Sequence, residues 1–186
     1  YNMKVAYGPF KGMILNKNVS WSKNDLITQT LGTYEEHVVQ ELIDINKKSK
    51  LNTFIDIGAA DGFFAVGMAY AKIYNEVIAY EINTDGQKNI INSGIINKCE
   101  HKIKVFGKAT YKQLSELMKR KKKTVILIDI EGFEYEFLNN KMLMLLKDQF
   151  IICELHPWEV DNGYELEDNL IKIASKFFNV KILKRE

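Results

Sequence analysis

The sequence predicts an α/β fold in which a doubly wound, mostly parallel sheet is covered by helices on both faces. Nearly continuous apolar runs of strand length alternate with segments whose apolar residues recur at helical spacing. This alternation is typical of parallel strands joined by right-handed helical crossovers. The chain has 186 residues, of which 46% are hydrophobic and 27% charged, so it suits one domain with a sizeable core.

The amino-terminal part of the chain has the weakest periodicity. Residues 1–32 predict an irregular or short-stranded segment, because Gly8-Pro9 and Gly12 interrupt it and polar residues follow. Thr33-Tyr-Glu-Glu36 has the spacing of a capping box, so the first helix is predicted over 33–46.

From that helix onward, strands and helices alternate to the end of the chain. We expect a single domain, residues 1–186, in which residues 1–50 form a lid and residues 51–186 form the α/β core that binds a cofactor. The predicted strands are 53–57, 77–80, 102–106, 124–130, 150–155 and 180–183. The predicted helices between and after the strands are 63–74, 85–92, 114–120, 134–146 and 162–177.

The most informative stretch lies at the end of the first predicted strand. An apolar run ends in Asp56, passes through the turn Gly58–Gly62 and continues into a helical pattern near Phe63. Such a turn lets the backbone approach a nucleotide-like ligand closely. About 20 residues further on, Glu81 ends the next apolar run, where a carboxylate accepts hydrogen bonds from both ribose hydroxyls. Together these features predict a nucleoside cofactor site.

The composition of the turn indicates which cofactor it binds. Gly58-Ala-Ala-Asp-Gly62 is not the G-x-G-x-x-G of dinucleotide-binding folds, because Phe63 takes the place of the third glycine. Asp61 also places a carboxylate inside the turn, where it repels phosphate but attracts a cationic ligand. S-adenosylmethionine carries an ammonium group, a sulfonium and a ribose, so the turn favours this cofactor over NAD.

At this point the chain resembles the FkbM-type family of class I S-adenosylmethionine-dependent methyltransferases, over about residues 8–156. This resemblance implies a Rossmann-like methyltransferase sandwich. The motifs that carry it are Leu31-Gly-Thr-Tyr-Glu35, Asp56-Ile-Gly-Ala-Ala-Asp-Gly62, Glu81, Ile128-Asp-Ile-Glu-Gly-Phe-Glu134 and Glu154-Leu-His156.

Two departures from the family pattern are visible. Leu127 stands where the family often carries lysine, two residues before the aspartate of the Asp-x-Glu-Gly-x-Glu segment. The class I fold also usually closes with an antiparallel hairpin, yet only one strand is predicted after Asn162. The last antiparallel strand is therefore expected to be absent, or to be supplied by the amino-terminal segment or a partner.

The resemblance also implies the residues that bind the cofactor. The glycine turn would line its methionine part, Asp56 would bond backbone amides or the ammonium, and Glu81 would hold the ribose hydroxyls. The adenine would lie in the loop 106–110, although Phe106 itself is expected in the core. Tyr34 and Glu35 either cap the methionine end or serve in core packing and helix capping. The expected cofactor-binding residues are Tyr34, Glu35, Asp56, Gly58, Ala59, Asp61, Gly62, Glu81, Ala109 and Asp129.

The candidate catalytic residues are Asp129, Glu131, Glu154 and His156, which follow the two central strands. Methyl transfer to a hydroxyl requires an aligned nucleophile and an acceptor for its proton. In one scheme His156 or a neighbouring carboxylate is the general base. In the other, Asp129, Glu154 and His156 bind a divalent metal, either magnesium or, because of the imidazole, manganese, zinc or iron.

Three of the four catalytic candidates also have a purely structural interpretation. Asp129 and Glu131 would cap a helix that begins near Phe133 and only orient the loop. His156 would be a polar surface residue of a loop. Trp158, which follows it, is a candidate for the acceptor side, whereas Trp21 is expected to pack over the core edge.

The function predicted from these features is O-methylation of a hydroxyl on a sugar, a glycan or another small molecule. The alternatives are a nucleic-acid methyltransferase, a nicotinamide-dependent oxidoreductase and a non-catalytic S-adenosylmethionine-binding module. Nucleic acid is the less favoured partner, because the net charge is only +2. The basic run Lys119–Lys123 precedes a strand and is therefore expected to be a solvated loop away from the cofactor.

The cellular setting follows from composition alone. The two cysteines form no disulfide framework, so we expect a reducing cytoplasm. No apolar run has the length of a membrane span. Oligomerisation stays open, because an uncovered sheet edge can pair with another chain.

Overall fold

The computed structural model describes residues 3–17, 25–121 and 123–183, and it confirms the predicted α/β architecture. Within these ranges one five-stranded sheet forms, and all of its neighbouring strands run parallel. The strands are β1 (Thr53–Ile57), β2 (Glu76–Tyr80), β3 (Ile103–Phe106), β4 (Val125–Ile128) and β5 (Phe150–Cys153). Their order is β3-β2-β1-β4-β5, so β1 lies at the centre, and the strand order reverses between β1 and β4 because β2 and β3 lie on one side of β1 while β4 and β5 lie on the other.

Helices cover both faces of this sheet. They are α1 (Asp25–Leu31), α2 (Glu36–Ser49), α3 (Phe63–Tyr70), α4 (Thr84–Ile96), α5 (Tyr111–Arg120), α6 (Glu134–Phe137), α7 (Asn140–Leu146) and α8 (Gly163–Ala174). One core lies between the sheet and α2, α3 and α4, and a second lies between the sheet and α5, α7 and α8. In β1, Phe54 packs into the first core and Ile55 and Ile57 into the second, because successive strand residues point to opposite faces.

The amino-terminal segment folds against the first core. Lys4 and Ile14 form an antiparallel bridge, so residues 3–15 make a small hairpin. Phe10 at its tip is buried against Phe63, with ring centroids 5.4 Å apart, and against the backbone of Gly67. The predicted position of Trp21 lies outside the described residues. Whether residues 1–50 act as a lid stays a prediction.

Several predicted element boundaries are wrong. The predicted capping box does not form: α2 begins at Glu36, and the Glu35 before it is left-handed with a φ of 45°. The predicted helix 134–146 is two helices, because the Asn139 side chain accepts hydrogen bonds from two backbone amides and starts α7. The predicted helix over residues 33–46 also has an unpredicted neighbour, α1, before it.

The last predicted strand is also wrong. Residues 180–183 are exposed and pair with no strand in the described part of the chain. The sheet therefore ends at β5, and the expected absence of a closing antiparallel strand holds for the described residues. No helix among those residues has the length and apolar character needed to span a membrane.

Candidate active site

The loops that follow β1, β2, β4 and β5 meet at one edge of the sheet, where the carboxyl ends of parallel strands lie. Ligands of open α/β sheets bind beyond this edge, near the point where the strand order reverses. That point lies here between β1 and β4. Most of the site residues predicted from the sequence are in these loops.

The glycine turn after β1 lies in direct contact with the loop after β4. Gly58 has a φ of +90°, and a Cβ at this position would lie 1.6 Å from the carbonyl oxygen of Asp129. Only glycine fits such a conformation and such a contact. The amides of Gly58 and Ala59 donate to the Tyr80 carbonyl over 2.9 and 3.1 Å, which holds the turn against β2. Gly62, with a φ of +87°, ends the turn and begins α3.

Glu81 is fixed between the glycine turn and the loop after β2. One carboxylate oxygen accepts from the Ala60 amide and the other from the Asn83 amide, each over 2.7 Å. Each oxygen keeps a second lone pair, so the buried carboxylate can still accept from a ligand. The neighbouring loop after β3 contains half-buried Ala109, whereas Phe106 is 43% exposed and stacks on Tyr80. The core placement expected for Phe106 is therefore wrong.

Asp56 is a buried carboxylate with one unsatisfied oxygen. Its Oδ2 atom has no hydrogen-bond partner among the described residues. Burial raises the pKa of Asp56 to about 8, and the charge of Asp129 adds to this effect, while a hydrogen bond from the Ala65 amide opposes it. A free buried oxygen of this kind is costly unless a ligand satisfies it.

Asp61 is tied to the neighbouring helix and, through it, to the amino-terminal segment. Its carboxylate accepts from the Asn89 side-chain amide over 2.8 Å. The Asn89 side-chain oxygen in turn accepts from Asn16 over 3.2 Å. The structure therefore gives Asp61 a role in connecting the turn to α4 and to the residues before α1.

Tyr34 and Glu35 lie just before α2, and Tyr34 approaches the same edge of the sheet. The Tyr34 ring packs edge-on against Phe63, with centroids 5.2 Å apart. Burial raises the pKa of the Tyr34 hydroxyl above its usual value, and the charges of Asp25 and Asp129 add to this. The Glu35 carboxylate lies 3.5 Å from the Nε2 atom of His37. Tyr34 therefore packs against the start of α3, just after the turn.

The predicted catalytic residues come together around one imidazole. The Nε2 atom of buried His156 lies 3.6 Å from a carboxylate oxygen of Asp129, 3.6 Å from one of Glu131 and 3.8 Å from one of Glu154. These separations are longer than hydrogen bonds. One ligand atom each from Asp129, Glu154 and His156 lies within 4.8 Å of the others, which is the set predicted to bind a metal.

Asp129 is a carboxyl group with a perturbed pKa in this cluster. Burial raises the pKa of Asp129 to about 6; His156 opposes the shift, and Glu131 and Glu134 add to it. Its buried Oδ1 atom has no hydrogen-bond partner in the described ranges. Perturbed carboxyl groups in a cleft are typical of functional sites.

Glu134 is a site residue that the sequence did not single out. Its fully buried carboxylate accepts from the amides of Ile130 and Gly132 over 2.9 and 3.0 Å. The same carboxylate lies 3.1 Å from the Nδ1 atom of His156. Glu134 therefore joins the loop after β4 to the loop after β5. Its position as the last acid of Asp-Ile-Glu-Gly-Phe-Glu134 was the signal available in the sequence.

The structural readings of the catalytic candidates do not hold. Helix α6 begins at Glu134, and Phe133 before it provides no side-chain cap, so neither Asp129 nor Glu131 caps it in the described structure. Glu131 instead has a left-handed φ of 54°, a conformation that costs energy for a residue with a side chain. His156 is buried, at 5% exposure, and is not a surface residue.

Two exposed aromatic residues lie in the loops that carry the cluster. Trp158 packs edge-on against the His156 ring, with centroids 5.3 Å apart, yet 58% of it is exposed. Phe133, in the loop after β4, is 61% exposed. The two loops touch, because a Cβ on Gly132 would lie 3.0 Å from Val160. The Trp158 ring therefore lies beside the imidazole, and Phe133 lies in the loop that carries Asp129 and Glu131.

The fold is similar to that of several solved methyltransferases. A putative O-methyltransferase from Klebsiella pneumoniae aligns with a TM-score of 0.55 and 12% identity, over 74% of this chain and 67% of that one. An O-methyltransferase from Bacillus cereus, solved in complex with SAH, gives 0.53 and 11%, over 84% and 87%. The putative methyltransferase yhhF from Escherichia coli gives 0.51 and 14%, over 84% and 78%.

These likenesses establish the Rossmann-like class I methyltransferase fold, and at such identities they establish the fold alone. No protein-family model matches the sequence, and no curated protein matches it. The FkbM-type resemblance therefore stays a prediction that depends on the motifs of the chain.

Proposed function

We propose that this protein is an S-adenosylmethionine-dependent methyltransferase, of FkbM type, that methylates a hydroxyl of a sugar, a glycan or another small molecule. The observation that supports this most directly is the contact between the glycine turn and the loop after β4. Because Gly58 touches the Asp129 carbonyl, a ligand bound on the turn lies beside the acids and the imidazole. A cofactor site and a cluster of proton acceptors are thus adjacent.

The residues at the edge of the sheet fit this cofactor. The buried, unpartnered Oδ2 atom of Asp56 offers an acceptor to an ammonium group. Glu81 offers free lone pairs to a pair of ribose hydroxyls. The left-handed glycines leave the backbone of the turn open to close approach. S-adenosylmethionine would supply the activated methyl group, so the protein has to position the acceptor and remove its proton.

The chain's own residues provide for that proton. Buried His156 Nε2 and the half-buried Asp129 carboxylate are the two groups that an acceptor hydroxyl would meet, and either can receive its proton as the new oxygen–carbon bond forms. Glu134 holds the other ring nitrogen of His156 and thereby orients the ring. Trp158 and Phe133 offer apolar faces to an acceptor ring on the solvent side.

The charge of the cluster disfavours a nucleic-acid acceptor. Asp129, Glu131 and Glu154 surround the position that an acceptor would occupy, and carboxylates repel a phosphate backbone. A nicotinamide-dependent oxidoreductase would need a turn that tolerates a pyrophosphate, and Asp61 lies in this turn. A non-catalytic binding module would have no use for the costly buried acid and imidazole groups.

The first test is calorimetric titration of the protein with S-adenosylmethionine, S-adenosylhomocysteine and NAD. We expect micromolar binding of the first two and none of NAD. Glu81→Ala should weaken binding of S-adenosylmethionine by about 2 kcal/mol, or about thirtyfold, because charged hydrogen bonds to the ligand are lost. The exposed Glu116→Ala is the matched control and should bind like the wild type.

The outcomes separate the candidate functions. Binding of NAD alone would establish the oxidoreductase reading. Unchanged affinity in a folded Glu81→Ala protein would exclude the proposed ribose contact. Binding of the cofactor without methylation of any hydroxyl acceptor would favour the non-catalytic module. Tight, salt-sensitive binding of an oligonucleotide would instead support nucleic-acid methylation.

A further inference from the structure

We propose that Asp129, Glu154 and His156 form a binding site for one divalent metal ion of the manganese or zinc type, and that Glu134 is the positioning residue for the histidine. This inference goes beyond the proposed methyl transfer, because the donor atoms are arranged without reference to any cofactor. It decides between the two ways in which this cluster can activate a hydroxyl.

The contact with Glu134 determines which ring nitrogen of His156 can bind an ion. The Nδ1 atom of His156 lies 3.1 Å from a Glu134 oxygen, and the same carboxylate also accepts two backbone amides. A carboxylate bonded in this way is an acceptor, so Nδ1 carries the proton. In the neutral ring the Nε2 atom then has a lone pair, which is the form that binds metals. That lone pair faces acidic side chains.

The carboxylate oxygens nearest to the Nε2 atom of His156 lie beyond hydrogen-bond distance. The distances are 3.6 Å to Asp129, 3.6 Å to Glu131 and 3.8 Å to Glu154. A second proton on Nε2 would call for an acceptor at about 2.7–3.2 Å. Two ligand atoms that each lie about 2.1 Å from one ion are instead separated by roughly 3.0–4.2 Å, depending on the angle between them. The observed spacing matches atoms that share an ion.

Asp129 provides an independent observation. Its Oδ1 atom is buried and accepts no hydrogen bond within the part of the chain that the structure describes. This is the same oxygen that lies 3.6 Å from Nε2. An unsatisfied buried carboxylate oxygen that points at an imidazole lone pair is unfavourable by itself, and a cation between the two atoms satisfies both.

The donor set indicates the kind of ion. One imidazole nitrogen with two carboxylates suits manganese or zinc better than magnesium, which prefers oxygen ligands alone. Glu131, which is 43% exposed at its side chain, stands on the open side, where it can complete the coordination together with water. The hydrogen bond from Nδ1 to Glu134 is the contact that metal-binding histidines usually make to a carboxylate behind them.

The test is titration of chelator-treated, full-length protein with Mn²⁺, followed by electron paramagnetic resonance, with Zn²⁺ and Mg²⁺ as competitors. We expect one saturable Mn²⁺ per chain, displaced by Zn²⁺ more readily than by Mg²⁺. His156→Gln and Asp129→Asn should lower the affinity at least tenfold. Glu134→Gln, which leaves the three ligands in place, should lower it about 10- to 100-fold.

Asp148→Asn is the matched control, because Asp148 is exposed and lies before β5, whereas Glu154 and His156 follow β5 at the opposite edge of the sheet. It should bind Mn²⁺ like the wild type. Circular dichroism should show that each variant is folded. Absence of saturable Mn²⁺ and Zn²⁺ binding to the folded wild type would overturn the proposal, and so would unchanged affinity in folded His156→Gln.

The same samples keep this proposal distinct from the proposed function. Binding of S-adenosylmethionine is measured in EDTA, and binding of Mn²⁺ is measured without the cofactor. Mn²⁺ binding without cofactor binding would support the metal site and refute the methyltransferase. Cofactor binding and full methylation in EDTA, with no Mn²⁺ bound, would refute the metal site and leave His156 as the general base.

Discussion

The two edges of the sheet differ in the hydrogen-bond partners that they provide for their carboxyl groups. At the amino-terminal edge, Glu76 accepts hydrogen bonds from Thr53 and Lys104, each over 2.9 Å, and from Lys121. Partial burial works against its ionisation, yet the hydrogen bonds from Lys121 and Lys104 lower the pKa of Glu76 to about 2. The charge of Glu76 is thus matched by two lysines.

At the carboxyl-terminal edge, Asp56 and Asp129 have no lysine partners of this kind. Burial raises the pKa of Asp56 to about 8 and that of Asp129 to about 6. Each of these residues has a buried oxygen with no hydrogen-bond partner among the described residues. The amino-terminal edge is therefore built for stability, whereas the carboxyl-terminal edge retains unfavourable groups that a ligand can satisfy.

The largest expected loss of stability comes from a substitution in the glycine turn at the carboxyl-terminal edge. Gly58→Ala should destabilise the protein by at least about 3 kcal/mol, because it combines a left-handed backbone with a severe clash. The new Cβ would lie 1.6 Å from the Asp129 carbonyl oxygen. Denaturant unfolding measures the loss.

Gly107→Ala is the control for this substitution, since Gly107 lies in a loop at the same edge. The nearest atom to its Cβ would be a Gln87 side-chain nitrogen at 3.9 Å, which is ordinary contact. It should change the free energy of unfolding by less than about 1 kcal/mol. Equal stability of the two variants would show that the turn does not press against the loop after β4.

Asp56→Asn tests whether the unmatched carboxylate weakens the ligand-free fold. The pKa of Asp56 is raised on folding from its ordinary value of 3.8 to about 8. The folded state therefore holds this proton more tightly than the unfolded state, and the stability from it is lost as pH rises from about 4 to about 8. The variant should be more stable than the wild type by about 2 kcal/mol at pH 8, with the difference vanishing near pH 4.

The same variant should bind S-adenosylmethionine more weakly, so stability and binding would move in opposite directions. Thermal or urea unfolding at several pH values provides the first quantity, and calorimetry provides the second. A variant that is less stable than the wild type at pH 8 would mean that Asp56 is a matched structural charge, and the contrast between the edges would fail there.

The sequence was sufficient for the parts of the fold that depend on apolar runs. The bounds predicted for β1 are those observed, because a fully buried strand ends there at a glycine turn. Prediction from the sequence failed where tertiary contacts determine whether a segment joins the sheet. The strand predicted over 124–130 ends at Ile128, since the chain leaves the sheet at Asp129 although Ile130 continues the apolar pattern. The strand predicted over 180–183 has β-forming composition but pairs with no strand within residues 3–17, 25–121 and 123–183.

The candidate site shows the same division. The sequence was enough to predict that three residues lie close together, namely Asp129, Glu154 and His156. The ends of neighbouring parallel strands lie side by side in a sheet of this topology. The role of Glu134 could not be predicted from the sequence, because its contacts depend on the left-handed turn through Glu131 and the following glycine. A backbone conformation of that kind is not readable from residue types alone.

Removing a matched charge from the amino-terminal edge should have a smaller effect. Glu76→Gln should lower the free energy of unfolding at pH 7 by about 1–2 kcal/mol, because two lysines lose their charged partner. The lowered pKa means that the wild type loses this contribution as pH falls from about 4.5 to about 2. Exposed Glu116→Gln is the control, and equal losses in both variants would contradict the matched network.

Binding data sharpen this third prediction. Glu76→Gln lies at the edge opposite the site, so the affinity for S-adenosylmethionine should equal that of the wild type. A stability loss without an affinity loss would assign the two edges different roles. A weaker affinity in the folded variant would show that the edges are coupled.

The smallest effect is expected from the basic run itself, and it distinguishes residues that are adjacent in sequence. Lys119 and Arg120 are exposed at the end of α5, so Lys119→Gln should change the free energy of unfolding by less than about 0.5 kcal/mol. Lys121→Gln should lower the free energy of unfolding by more, because Lys121 is half-buried against Glu76.

If the basic run binds nucleic acid instead, Lys119→Gln and Arg120→Gln should each weaken oligonucleotide binding and reduce its salt dependence. Filter binding at two salt concentrations would detect this change. Unchanged stability of Lys119→Gln together with no oligonucleotide binding would assign Lys119 and Arg120 to solvent, and a loss of stability in Lys121→Gln would assign Lys121 to the structure.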